Sequence, residues 1–132
     1  MIQLLLRITM LSALTLGAAY GQDRPNVIVM VADDLGWNDV GYHGGDIETP
    51  SLDRLAAEGI QLDRFYTTPI CSPTRAALMT GRNPMRLGIA YGVILPWDNI
   101  GVHPDERFLP ESFLDAGYQT AMVGIWHLGH AQ

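Results

Sequence analysis

Residues 26–32 read Asn-Val-Ile-Val-Met-Val-Ala and stop at Asp33-Asp34. An unbroken β-branched apolar run, without polar alternation, is the pattern of a strand buried on both faces, as in a parallel sheet with helices above and below. Such a strand is not stable alone, so the run demands an α/β architecture around it. Carboxylates at its carboxyl end would face the crevice where open α/β sheets bind ligands. Two adjacent aspartates are also the composition of a solvated turn.

The rest of the chain continues the alternation, with no internal repeat or low-complexity stretch. Thr49-Pro50-Ser51 opens a helix that runs through Glu58, with Leu52, Leu55 and Ala56 as its apolar stripe and Gly59 as its stop. Residues 60–66 alternate apolar and polar as a strand. Residues 110–116 form a short helix closed by Gly117, which feeds a strand over residues 118–123. Residues 83–107, rich in Gly and Pro, are expected to form a long loop on the rim of a site. Trp37, Tyr91 and Trp97 would either shape a cleft there or simply pack.

Cys71-Ser72-Pro73-Thr74-Arg75 reads as a helix start: Ser72 as N-cap, Pro73 at the first helical position, and Gly81 as the stop. Cys71 would then lie just before the helix, where free N–H groups and the positive dipole end favour an anion. Arg75, one turn on, can offer a fork of donors to the same group. A lone cysteine is also a common buried structural residue. The five residues resemble the C-x-P-x-R signature of type I sulfatases, and Ala76-Ala77-Leu78-Met79-Thr80-Gly81-Arg82 extends the resemblance to twelve consecutive positions.

The resemblance implies that Cys71 is oxidised to formylglycine (3-oxoalanine), whose hydrated aldehyde takes sulfate from an ester. It implies that Asp33 and Asp34, with the modified Cys71 side chain, bind a divalent cation, Ca2+ or alternatively Mg2+. A hard ion of that kind wants several oxygen ligands and can neutralise sulfate charge. Arg75 would hold the modified side chain and the metal-site geometry.

Gly124-Ile125-Trp126-His127-Leu128-Gly129 resembles the family's G-K-W-H-L-G element, in which lysine binds sulfate and histidine contacts the formylglycine. His127 carries over and the lysine does not. Position 125 is isoleucine, and all eight basic residues are arginines. His43, His103 and His130 lack such flanking residues and are expected at the surface or behind the site. The phrase Gly36-Trp37-Asn38-Asp39-Val40-Gly41-Tyr42-His43-Gly44 is similar to arylsulfatase B-like enzymes that act on N-acetylgalactosamine 4-sulfate.

Residues 1–21 have the form of a signal peptide: Arg7, an apolar stretch over residues 8–16, and Ala19-Tyr20-Gly21 before Gln22. That stretch is short for a membrane span, so an exported protein, periplasmic, extracellular or lysosomal, is expected. Fourteen acidic residues against eight arginines, net charge −6, argue against nucleic acid and against a basic patch for long polyanions. One cysteine excludes an intramolecular disulfide. The family fold is a large α/β sandwich of the alkaline-phosphatase-like superfamily, with a mainly parallel sheet flanked by helices. Residues 22–132 would be the amino-terminal portion of that catalytic domain, since the remaining metal ligands lie later in the family's chains. The expected partners are a sulfate ester, aryl or carbohydrate, and a formylglycine-generating enzyme. The rival expectations are a superfamily phosphatase or phosphodiesterase, and a truncated sulfatase that binds without turnover.

Overall fold

The computed structural model of the chain describes residues 24–129; the expected signal peptide, residues 1–21, and His130 lie outside them. Two compact units divide between Ala32 and Asp33. In the first, residues 24–32 have no regular secondary structure and are exposed, with Ile28 81% accessible. The second contains two short 3-10 turns, Trp37–Asp39 and Gly41–His43, then helix α1 (Pro50–Glu58), helix α2 (Cys71–Thr80), a 3-10 turn at Pro84–Leu87 and helix α3 (Leu109–Asp115).

Helix α1 forms where Pro50 pre-sets the first turn and Gly59 returns its N–H to the Leu55 carbonyl at 2.9 Å. Its start also clamps the preceding loop. The Thr49 hydroxyl donates to Asp53 Oδ1 at 2.7 Å and accepts from Gly41 N at 2.8 Å, while Tyr42 N donates to Asp53 Oδ1 at 3.0 Å. The apolar stripe of α1 stays largely uncovered. Leu52 and Leu55, with Trp37, Tyr42, Ile60 and Leu62, border a cleft of about 390 Å3.

Helix α2 begins two residues earlier than the Ser-Pro pair suggests. Ile70 is the N-cap, Cys71 is the first helical residue and no side chain caps the amino end, so Ser72 is not the N-cap. The Ser72 hydroxyl, fully buried, accepts instead from the main-chain N–H of Ile94 at 2.9 Å. A buried amide left without an acceptor costs about 1–3 kcal/mol, which is why the hydroxyl serves the core rather than its own helix. Gly81, at φ +66°, ends the helix by donating to the Ala77 carbonyl at 2.8 Å.

The buried cluster consists of Ala76, Ile89, Ile94, Val102 and Leu128, with Met79, Leu87 and Phe108 packed against it. Three of these five come from residues 83–107, the segment expected to be a rim loop. Glycine and proline mark where a chain turns, and say nothing of whether the apolar residues between the turns are exposed. Here Ile89, Ile94 and Val102 cluster with Ala76 of α2. The segment therefore contributes to the core as well as to the surface.

The expected strands over residues 26–32, 60–66 and 118–123 do not form; among the described residues there is no strand. Ile60 is 91% and Val123 99% exposed, and among the described residues these segments have no ladder partners. A strand exists only through its neighbours, and apolar patterning states the need for them without supplying them. No helix among the described residues is long and apolar enough to cross a membrane.

Candidate functional site

Each residue of the Cys71–Arg75 turn has a distinct environment. Cys71 is a half-buried free thiol in the first turn of α2. Ser72 and Pro73 are fully buried. The Thr74 hydroxyl donates to the Thr68 carbonyl, which fixes the approach to the helix. Arg75 reaches furthest. Its side chain is only 14% exposed; Nη1 donates to the Ile125 carbonyl at 2.8 Å, and Nη2 lies 3.7 Å from Asp33 Oδ1. One guanidinium thus joins Asp33, the cysteine helix and the 124–129 segment. Its fork geometry suits an acceptor on each side.

The 124–129 segment is held at both ends. Arg75 takes the Ile125 carbonyl, and Val102 N donates to the Leu128 carbonyl at 2.9 Å, with the Leu128 side chain in the core. Trp126 packs against Phe108 at a ring separation of 5.7 Å. Between these anchors, His127 adopts φ +53°; Asp34, at φ +51°, is the other non-glycine residue with positive φ among the described residues. Such backbone costs about 1–3 kcal/mol for each residue and persists only when neighbours impose it. Among the described residues, two buried side-chain nitrogens lack a hydrogen-bond partner: Arg75 Nε and His127 Nδ1. Each represents about 1–3 kcal/mol of unmet bonding, an arrangement suited to meeting a polar or anionic group.

A sulfatase family model matches residues 25–132. The chain belongs to the sulfatase family. It is 47% identical over 129 residues to the N-acetylgalactosamine-6-sulfatase of Canis lupus familiaris, covering 91% of this chain and 25% of that protein. It is 44% identical over 109 residues to arylsulfatase J of Mus musculus, covering 83% of this chain and 18% of that protein. With human arylsulfatase A it shares 42% identity over 123 residues, 92% of this chain and 24% of the relative. The chain therefore spans about a fifth to a quarter of the length of these relatives. Membership assigns the chain to the alkaline-phosphatase-like α/β fold class.

Against that family background, the cation ligands are incomplete. Among the described residues no three His, Cys, Asp or Glu side chains come close enough to hold a metal ion. Asp33 is turned to Arg75. Two carboxylates fall well short of the six to eight oxygens calcium takes, so these residues alone do not make a cation site. Position 125 is isoleucine where the resembled element has lysine, and Arg82 is paired with Glu106. His43 stacks on Trp37 at 3.6 Å, and His103 Nδ1 lies 3.5 Å from Asp105; both stand apart from the cysteine turn in their contacts. Trp97 and Tyr91 are exposed.

Two site-supporting residues escaped sequence reasoning. Ser72 looked like a helix cap because serine before proline usually is one. Gly101 gave no signal beyond lying in a glycine-containing segment, although its lack of a side chain is what lets the 128–129 backbone approach.

Proposed function

We propose that the chain carries the nucleophile and its immediate surroundings in an exported sulfatase that hydrolyses sulfate monoesters, with Cys71 acting as formylglycine. The observation that supports this most directly is the pair of unpartnered buried nitrogens, Arg75 Nε and His127 Nδ1, on two of the residues that the sulfatase motifs single out. In the hydrated aldehyde, one hydroxyl attacks sulfur and the ester oxygen departs with a proton as the alcohol. The second hydroxyl then loses its proton, the aldehyde carbonyl re-forms, and the bond from that carbon to the sulfate oxygen breaks. Inorganic sulfate leaves and water restores the hydrate. Arg75, fixed by Ile125 and Asp33, holds the modified side chain, and His127 orients a hydroxyl of the hydrate.

Asp33 and Asp34 would supply part of a Ca2+ or Mg2+ shell, which neutralises sulfate charge when complete. The segments 26–32, 60–66 and 118–123 are read as strands of the complete domain's sheet, whose neighbours give them ladders. The relatives' names suggest aryl sulfates and sulfated N-acetylgalactosamine as substrates. Residues 1–21 direct export, and a formylglycine-generating enzyme is the maturation partner.

The test is hydrolysis of p-nitrophenyl sulfate by the whole protein after conversion of Cys71, with Cys71→Ala as control. Activity that survives Cys71→Ala, or a preference for p-nitrophenyl phosphate, would overturn the reading.

A further inference from the structure

His127 has no hydrogen bond from its buried Nδ1 to hold it, so its place depends on the main chain on either side. On the amino-terminal side that anchor is Arg75 on the Ile125 carbonyl. On the other side it is a backbone-to-backbone contact between two glycines. A Cβ on Gly101 would lie 2.9 Å from the Leu128 oxygen and 3.1 Å from Gly129 Cα; a Cβ on Gly129 would lie 2.8 Å from Gly101 Cα. Backbone atoms cannot swing aside as a side-chain tip can. Beside this contact, Val102 N donates to the Leu128 carbonyl at 2.9 Å.

Residues 100–102 are themselves tied to the cysteine helix. Ser72 Oγ accepts from Ile94 N, and Ile94 and Val102 share the buried cluster with Ala76. A continuous path of packed and bonded groups therefore runs from the first turn of α2, through residues 94–102, to the residue after His127.

We infer that Gly101 is a positioning residue for His127, and that residues 94–102 form the strut that sets the distance between the cysteine turn and the histidine. The inference rests on the sulfatase reading for His127's task, while the geometry of the strut stands apart from it. In Gly101→Ala the added methyl must displace residues 128–129, and His127 with them. Because His127 orients the nucleophile rather than gripping the substrate, the loss falls on kcat with KM little changed. A displacement on the order of 1 Å in such a group costs about a hundredfold in rate.

The experiment compares Gly101→Ala with Gly92→Ala, in the whole protein converted at Cys71. A Cβ on Gly92 meets nothing within 4 Å, so it reports the effect of a glycine replacement in the same segment without a clash. The readouts are kcat and KM on p-nitrophenyl sulfate and the His127 ring C–H resonance, assigned with His127→Gln. The strut predicts a kcat-only loss and a shifted ring resonance in Gly101→Ala, with Gly92→Ala like the parent. Should Gly101→Ala fail to fold, Leu128→Val shifts the same anchor without a backbone clash and is expected to give a smaller loss of the same kind. An unmoved ring resonance in the folded variant, or unchanged kcat in Leu128→Val when Gly101→Ala does not fold, overturns the strut. A parent without sulfatase activity but with a ring resonance that moves in Gly101→Ala overturns the functional reading and supports the strut.

Discussion

Arg75 donates to the main-chain carbonyl of Ile125 at 2.8 Å, across fifty positions of sequence. The contact uses the backbone, so it is indifferent to the side chain at position 125. The isoleucine that stands where the family has lysine therefore leaves the scaffold intact and removes only a cation. Ile125→Lys should keep the Arg75 contact and, in the completed and converted protein, raise kcat/KM on an aryl sulfate by about 30- to 1,000-fold, the value of a charged donor on a transferring group. Arg82, held by Glu106, should not be a substitute, and Arg82→Ala is expected to change kcat/KM by less than about threefold, within the range of a surface ion pair. Equal kcat/KM for the parent and Ile125→Lys would show the missing lysine to be harmless.

Arg75→Lys retains the charge and loses the fork. A single ammonium is poorly shaped to serve both the Ile125 carbonyl and the Asp33 carboxylate, so one contact should be lost and kcat/KM should fall by about 10- to 100-fold. Steady-state kinetics on the converted variant measure this. An Arg75→Lys enzyme as active as the parent would mean that charge alone matters there.

Ser72 and Pro73, flanked by Cys71 and Arg75, are fully buried once the chain folds. An enzyme that reads this stretch needs it extended and accessible. Conversion of Cys71 should therefore be efficient on the unfolded chain and slow on the folded protein, read as a loss of about 18 Da from the Cys71 peptide, the mass change from thiol to aldehyde. Equal conversion of folded and unfolded protein would contradict this.

Val27, Ile28, Val29, Met30, Ile60, Leu62 and Val123 are all exposed in the chain as described. Unpaired, apolar extended segments are sites of association. Residues 22–132 expressed alone should show low solubility or a broad, non-cooperative thermal transition. A sharp, reversible melt of a monomeric sample would establish these residues as a self-sufficient domain.

Much of the local structure was legible in the sequence because its causes are local. Pro50 and Gly59 bound α1, and Gly81 ends α2, since φ preferences and free helix-end groups act over a few residues. The start of α2 was misread because two demands competed for one hydroxyl: capping its own helix, and satisfying the Ile94 amide 22 residues away. Only packing decides such a contest. The three expected strands do not form among the described residues for a related reason, since ladder bonds belong to pairs of segments and an apolar run reports only its own half of the pair.

By itself the sequence determined the family, through the twelve-residue run from Cys71 to Arg82 and the Trp-His-Leu-Gly element, along with the helix boundaries that glycine and proline enforce. It also named Asp33, Arg75 and His127 as residues to examine together. Only the tertiary structure decided how they are joined: Arg75 to a carbonyl rather than to the side chain at 125, His127 held through its neighbours' backbone, and a Gly- and Pro-rich loop supplying most of the core. The physical reason is that backbone contacts such as Gly101 on Gly129 depend on what is absent from a side chain. A glycine required for close approach reads in sequence like one required for a turn.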